Sequence, residues 1–258
     1  MNALAEPGRR PRREGLALRG AVAFVWLATG LGVLHPAYRA IGSEWLGRLG
    51  LPDALMFATC AAEILLGLAV LGSRPNRALL GLQAGAVLTF TIVLASLEPL
   101  LLAHPFGVLS KNLPFLLALA ASYRLETRGA DLRYERLLVW GAGIVWITEG
   151  IFPKLLFQQP LELAIVESSG LVPFDPSTFL FLLGSAQALS GVLVIALRGR
   201  AQRLLLGAQA LALILLPTLV ALQLPELWFH PFGPLTKNVP PLVCALLLLL
   251  RPPCSSRS

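Results

Sequence analysis

Lysine is scarce in this chain: Lys111, Lys154 and Lys237 are the three lysines among 21 Lys and Arg residues. Two of them occupy the same place in one polar motif that is written twice. Residues 104–114 read HPFGVLSKNLP and residues 230–240 read HPFGPLTKNVP, 126 residues apart and identical at eight of eleven positions. The third follows an acid in WITEGIFPKLLF at 146–157. Set among apolar residues, His104, Lys111 and Asn112 with their counterparts His230, Lys237 and Asn238 could frame a site for an anionic or carbonyl-bearing group. The N-terminus of the helix after each motif would add positive potential. Glu149 and Lys154 in the third stretch, and Glu63 in the apolar run 54–72, add carboxylates and a further cation. A carboxylate at bilayer depth costs about 2.5–3.5 kcal/mol on insertion scales, so it is expected to face the protein interior with a partner. These residues form the candidate ligand-binding set, and no pattern singles out a catalytic residue.

Each has a plainer reading beside the chemical one. Gly107 and Gly233 permit a turn. Asn112 and Asn238 suit helix N-caps, Ser110 and Thr236 could cap as well, and Pro114 and Pro240 fit the first turn of the next helix. Phe106 and Phe232 fit wedges at the lipid boundary. A lysine at a membrane interface snorkels toward water, and an intramembrane acid can be interhelical glue. Five residues of α-helix turn by about 500°, so Glu149 and Lys154 share a face only if Gly150 and Pro153 bend the segment.

Several other chemistries have no footing. There is no GxGxxG, P-loop, His-Glu-x-x-His or nucleophile elbow. The three histidines, His35, His104 and His230, fall in or beside loops, so neither a metal site nor a haem is expected. Cys60 and Cys244 lie within apolar spans, Cys254 lies in the tail, and the absence of Cys-x-x-Cys argues against dithiol chemistry by the chain itself.

The elements that must position these groups follow from hydropathy. The chain has a mean hydropathy of +0.73 and 14% charged residues, where a soluble domain carries about 25%. Apolar spans run at roughly 20–38, 54–72, 78–97, 108–123, 137–156, 178–197, 204–224 and 235–250, several reaching the roughly 20 residues that cross a bilayer. The expected fold class is an all-α membrane protein of about eight transmembrane helices, in contact with the lipid bilayer. Sixteen of the 21 basic residues fall in segments on one side of these spans. The positive-inside rule therefore predicts cytoplasmic termini and external motif loops. The net charge of +7 is thus a topology signal, and no nucleic-acid partner is expected. GRRPRRE near the N-terminus is expected to precede a retained first helix rather than a cleaved leader.

The repeat extends beyond the motif. RALLGLQA (77–84) matches RLLLGAQA (203–210), AEILLG (62–67) matches AQALSG (186–191), and WLATG (26–30) matches WITEG (146–150). Four spans per unit give both halves the same orientation, hence two parallel four-helix repeats. The expected organisation is a basic segment 1–19, repeats at 20–123 and 137–251, a linker 124–136 and a tail 252–258. The match pairs Glu149 with Thr29 and Glu63 with Gln187. Each half keeps one acid and replaces the other with a neutral polar residue, as when one duplicate site is kept and the other decays.

With the motif HPFGxL[ST]KNxP and the stretch WITEGIFPKLLF, the chain resembles the DoxX-like family of small four-helix bacterial membrane proteins, here with the unit present twice over residues 20–251. That resemblance implies an accessory role in a membrane redox system. The family takes its name from a membrane subunit associated with quinone-linked sulfur oxidation, and relatives occur beside, or fused to, soluble oxidoreductases. A quinone is then the implied ligand, the His, Lys and Glu149 side chains supplying donors and a proton, and an oxidoreductase the implied partner. Two other readings stand beside it: a transporter or binding protein for a small solute, and a non-catalytic scaffold or assembly factor. Whether the chain catalyses anything itself is not decided by its residues.

Overall fold

The computed structural model describes residues 9–104, 107–170 and 172–251. The Phe106 ring, the Cys254 thiol and the tail 252–258 lie outside them. Each of the eight apolar stretches becomes a helix: α1 (Arg9–Leu31), α3 (Ala54–Gly72), α4 (Arg77–Leu97), α5 (Asn112–Arg128), α6 (Leu132–Gly150), α8 (Pro176–Ala196), α9 (Gly199–Gln223) and α10 (Val239–Leu249). Two short helices join them, α2 (Pro36–Arg48) and α7 (Pro160–Ser169). Both start with proline at the first helical position, where the missing N–H costs nothing. His35 caps α2, its Nδ1 accepting from the Ala37 N–H at 3.2 Å. Among the described residues there is no strand.

The two repeats, α1–α5 and α6–α10, interlock. Helices α1, α5, α6 and α10 form an inner ring in which each packs on the next and α10 closes on α1. Outside it, α3 lies on α1 and α8 on α6, while α4 lies on α5 and α9 on α10. The main helix packing of one repeat thus recurs in the other. The ring encloses the main core, with Phe115, Tyr134, Leu138 and Cys244 almost fully buried.

Lipid explains the outer surface. Leu65, Leu82, Ile92, Leu189, Leu204 and Leu222 are each more than half exposed on α3, α4, α8 and α9, an apolar display that water would penalise. These four helices, and α1 with the turn after it, are long and apolar enough to cross a membrane. The remaining inner helices are shorter or carry charge, which a ring shielded by protein tolerates. The protein is a multi-pass membrane protein.

At the end of the ring opposite the motif loops, arginines pin helix ends together. Glu14, buried in α1, accepts a hydrogen bond from the Tyr134 hydroxyl at 2.8 Å and pairs with Arg251 at 2.9 Å. Asp131 caps α6 by accepting from the Tyr134 N–H at 2.8 Å. The Arg124 guanidinium beside it, with that N–H, holds the Asp131 carboxyl down to about 2.

Candidate functional site

Both motif loops fold into the same turn. Gly107 and Gly233 take positive φ, +72° and +61°, a region that side chains disfavour. Their N–H groups donate to the carbonyls of His104 (2.8 Å) and His230 (2.9 Å), and their carbonyls accept from Lys111 N (3.1 Å) and Lys237 N (3.0 Å). Pro114 and Pro240 sit in the first turns of α5 and α10, as expected. The capping expectation for the asparagines is not met. Asn112 is the first residue inside α5 and its Nδ2 donates to Thr91 Oγ1 at 2.8 Å; Asn238 holds the cap position of α10 without a side-chain cap bond. Ser110 and Thr236 do not cap either: Ser110 Oγ donates to Glu149 Oε1 at 2.5 Å, and Thr236 Oγ1 donates to the Gly233 carbonyl at 3.3 Å. Phe232 is no lipid wedge, since it is buried against Leu101 and Val108 of the other loop. The aromatic ring is covered there because the two loops meet.

Having met, each loop sends its lysine into the other repeat. Lys111 lines a cavity of about 340 Å³ otherwise built by α6–α9 and the second loop. Lys237, with Pro231 and Phe232 of the same loop, lines a cavity of about 360 Å³ otherwise built by α1–α5 and the first loop. The expectation of one shared outer site is thus replaced by two pockets, each completed by the opposite repeat. The two acids part in the same way, Glu149 in the first pocket and Glu63 in the second. Neither pocket is a decayed copy that has lost its acid.

The Glu149 pocket holds four buried or nearly buried charges. Lys111 Nζ lies 3.2 Å from Glu149 Oε1. Lys154 Nζ lies 3.8 Å from Glu149 Oε2, donates to the Glu149 carbonyl at 3.2 Å, and pairs with Glu162 Oε1 at 2.6 Å. The α-helical geometry that would set Glu149 and Lys154 apart is not kept. Residues Ile151–Leu156 form a π-turn, whose wider winding brings positions five apart onto one face. Such single π-turns are frequent at functional sites. Glu162, on α7, escaped the sequence reading because 160–169 looks like a connection; the signal was an acid eight residues after Lys154, behind a helix-starting Pro160.

Around this cluster polar atoms stand unpartnered. Trp146 Nε1, Gln187 Oε1, Asn238 Oδ1 and Glu162 Oε2 are buried without a hydrogen bond and line the pocket. In the other repeat two of the corresponding side chains are engaged: Trp26 Nε1 donates to Gln83 Oε1 at 2.9 Å, and Asn112 Nδ2 donates to Thr91 Oγ1, while Glu63, the counterpart of Gln187, keeps an unpartnered Oε2. The position of Thr91 is Pro217 in the second half, and Gln209, the counterpart of Gln83, donates instead to Ser190 Oγ at 3.1 Å.

The histidines stand apart from both cavities. Burial lowers the pKa of His104, and it pushes His230 down to about 4 with help from His104 and Lys237. Burial thus favours the neutral form of both imidazoles. His35 stacks on Phe229 with ring centroids 3.6 Å apart.

The repeated loop, the repeated ring contacts and the two lysines in register all describe one unit used twice. Comparison with known families finds that unit in both halves, matching the DoxX-like family over residues 23–120 and again over 143–247. The chain belongs to the DoxX-like family. In this DoxX-like protein the family unit thus spans each repeat from α1 to α5 and from α6 to α10. No curated protein and no solved structure matched the chain.

Proposed function

We propose that this DoxX-like protein is a quinone-interacting accessory subunit of a membrane redox system, seated in a bacterial inner membrane with its arginine-rich end and termini in the cytoplasm. The observation that carries the reading is the Glu149 pocket, where a buried Lys–Glu cluster and unpartnered polar atoms stand at an otherwise apolar cavity within lipid-facing helices. A quinone ring suits such a site: its body takes the apolar walls, and its carbonyl oxygens accept from Trp146 Nε1–H or a lysine. Glu149 and Glu162 are placed to hold the protons that quinone reduction consumes, while electrons would come from a partner oxidoreductase. Lysine rather than arginine suits proton exchange, because its pKa responds to burial.

The test is binding of a short-chain ubiquinone to the purified protein in lipid nanodiscs, with empty discs subtracted. Trp146→Phe, which removes one donor and little volume, is expected to weaken binding about two- to tenfold, and Lys111→Met to weaken it at least as much. Failure of the folded wild type to bind, or binding by both folded variants as tight as the wild type's, overturns the reading.

A further inference from the structure

Glu63 stands differently from Glu149. Its side chain is buried to nine-tenths, yet Oε2 has no hydrogen-bond partner. It lines the 360 Å³ cavity between α1–α5 and the second loop, together with Trp26, Trp45 and Phe115. Across the same cavity comes Lys237, whose charge acts on Glu63. The equivalent lysine of the first repeat closes directly onto Glu149 at 3.2 Å. Removing an acceptor from water without giving it a partner is unfavourable, so a retained buried carboxylate oxygen of this kind marks a place where something else supplies the donor.

We infer that the Glu63 cavity is a second ligand site, taking a lipid-soluble hydroxylated aromatic of the phenol class. A phenolic hydroxyl meets both polar groups at once, donating to Glu63 Oε2 and accepting from Lys237, while aromatic and aliphatic walls receive the ring and its tail. A lipid acyl chain would fill the walls and leave the carboxylate unpaired. A free cation would meet Glu63 beside the positive charge of Lys237. The site is separate from the Glu149 pocket and stands without the quinone reading, because no residue lines both cavities.

The experiment compares 4-nonylphenol with its methyl ether, 4-nonylanisole, which keeps the shape and lacks the donor. Binding is measured on the full chain in nanodiscs, with empty discs subtracted. The wild type is expected to bind the phenol at least about tenfold more tightly than the ether, as befits a hydrogen bond to a charged group. Glu63→Leu should abolish that preference, and Thr59→Trp, which fills the cavity and leaves Glu63 in place, should remove the site. Trp146→Phe, in the other pocket, should leave it unchanged. Equal affinity of the wild type for the two compounds overturns the inference and makes the cavity a slot for lipid acyl chain only. So does a preference that survives in folded Thr59→Trp, even if Glu63→Leu fails to fold. Weaker quinone binding in Trp146→Phe with the phenol preference intact separates the two sites.

Discussion

A buried carboxylate among lysines makes the surrounding residues interdependent. Glu149 has Lys111, Lys154 and Ser110 as partners, so removing one cation leaves charge that the interior cannot solvate. Lys111→Ala is expected to destabilise the folded protein by about 3 kcal/mol. Adding Glu149→Gln should return most of that loss, giving a coupling of at least about 1 kcal/mol in a double-mutant cycle. Denaturant unfolding in a mild detergent reads it, and simple additivity of the two losses would show that the pair is not an energetic unit. Both residues were legible as candidates from their rarity and depth. Their partnership was not, because Lys111 and Glu149 belong to different repeats and lie 38 positions apart in the chain.

At the scale of elements, α6 and α8 approach closely because small residues line their seam. A Cβ on Gly150 would meet the Gly184 carbonyl and stand 2.7 Å from Ala188 N, with backbone on the other side unable to yield. Gly150→Ala should therefore cost about 1–3 kcal/mol and loosen the π-turn that follows. Gly81 and Gly207, equivalent positions on α4 and α9, have nothing within 4 Å of such an atom. Alanine there should be neutral or stabilising by up to about 1 kcal/mol. Thermal unfolding of the three single variants checks the contrast, and equal midpoints would refute the close-seam account. Hydropathy located all eight apolar helices, since a helix in or against lipid requires an apolar run. It passed over α2 and α7, which are short and carry only a weak periodic signal. The π-turn was invisible for another reason: its winding answers to packing and to charges outside the segment.

For the whole molecule, the exchange of lysines means that neither repeat is complete alone. The first lacks Lys237 in its Glu63 cavity, the second lacks Lys111 beside Glu149, and the inner ring closes only with helices from both. A chain opened between Gly129 and Ala130, in the connection between α5 and α6, is expected to reassemble when both pieces are co-expressed. They should co-purify in equal amounts and unfold in one thermal transition, while each piece alone should show none. A first piece that unfolds cooperatively by itself would mean that the ring is not required.

Read alone, the amino-acid order determined the membrane class, the eight apolar helices, the duplication and the shared direction of its halves. Each of these follows from local apolar length or from self-similarity along the chain. It also marked Lys111, Lys154, Lys237, Glu63 and Glu149, because charge inside an apolar span is costly wherever the span ends up. Only the tertiary structure decided which acid meets which lysine, that the polar groups form two pockets instead of one, and that Glu162 completes the first. Those outcomes depend on how two similar units close around each other. Identical loop sequences cannot say whether a lysine turns into its own repeat or across to its neighbour.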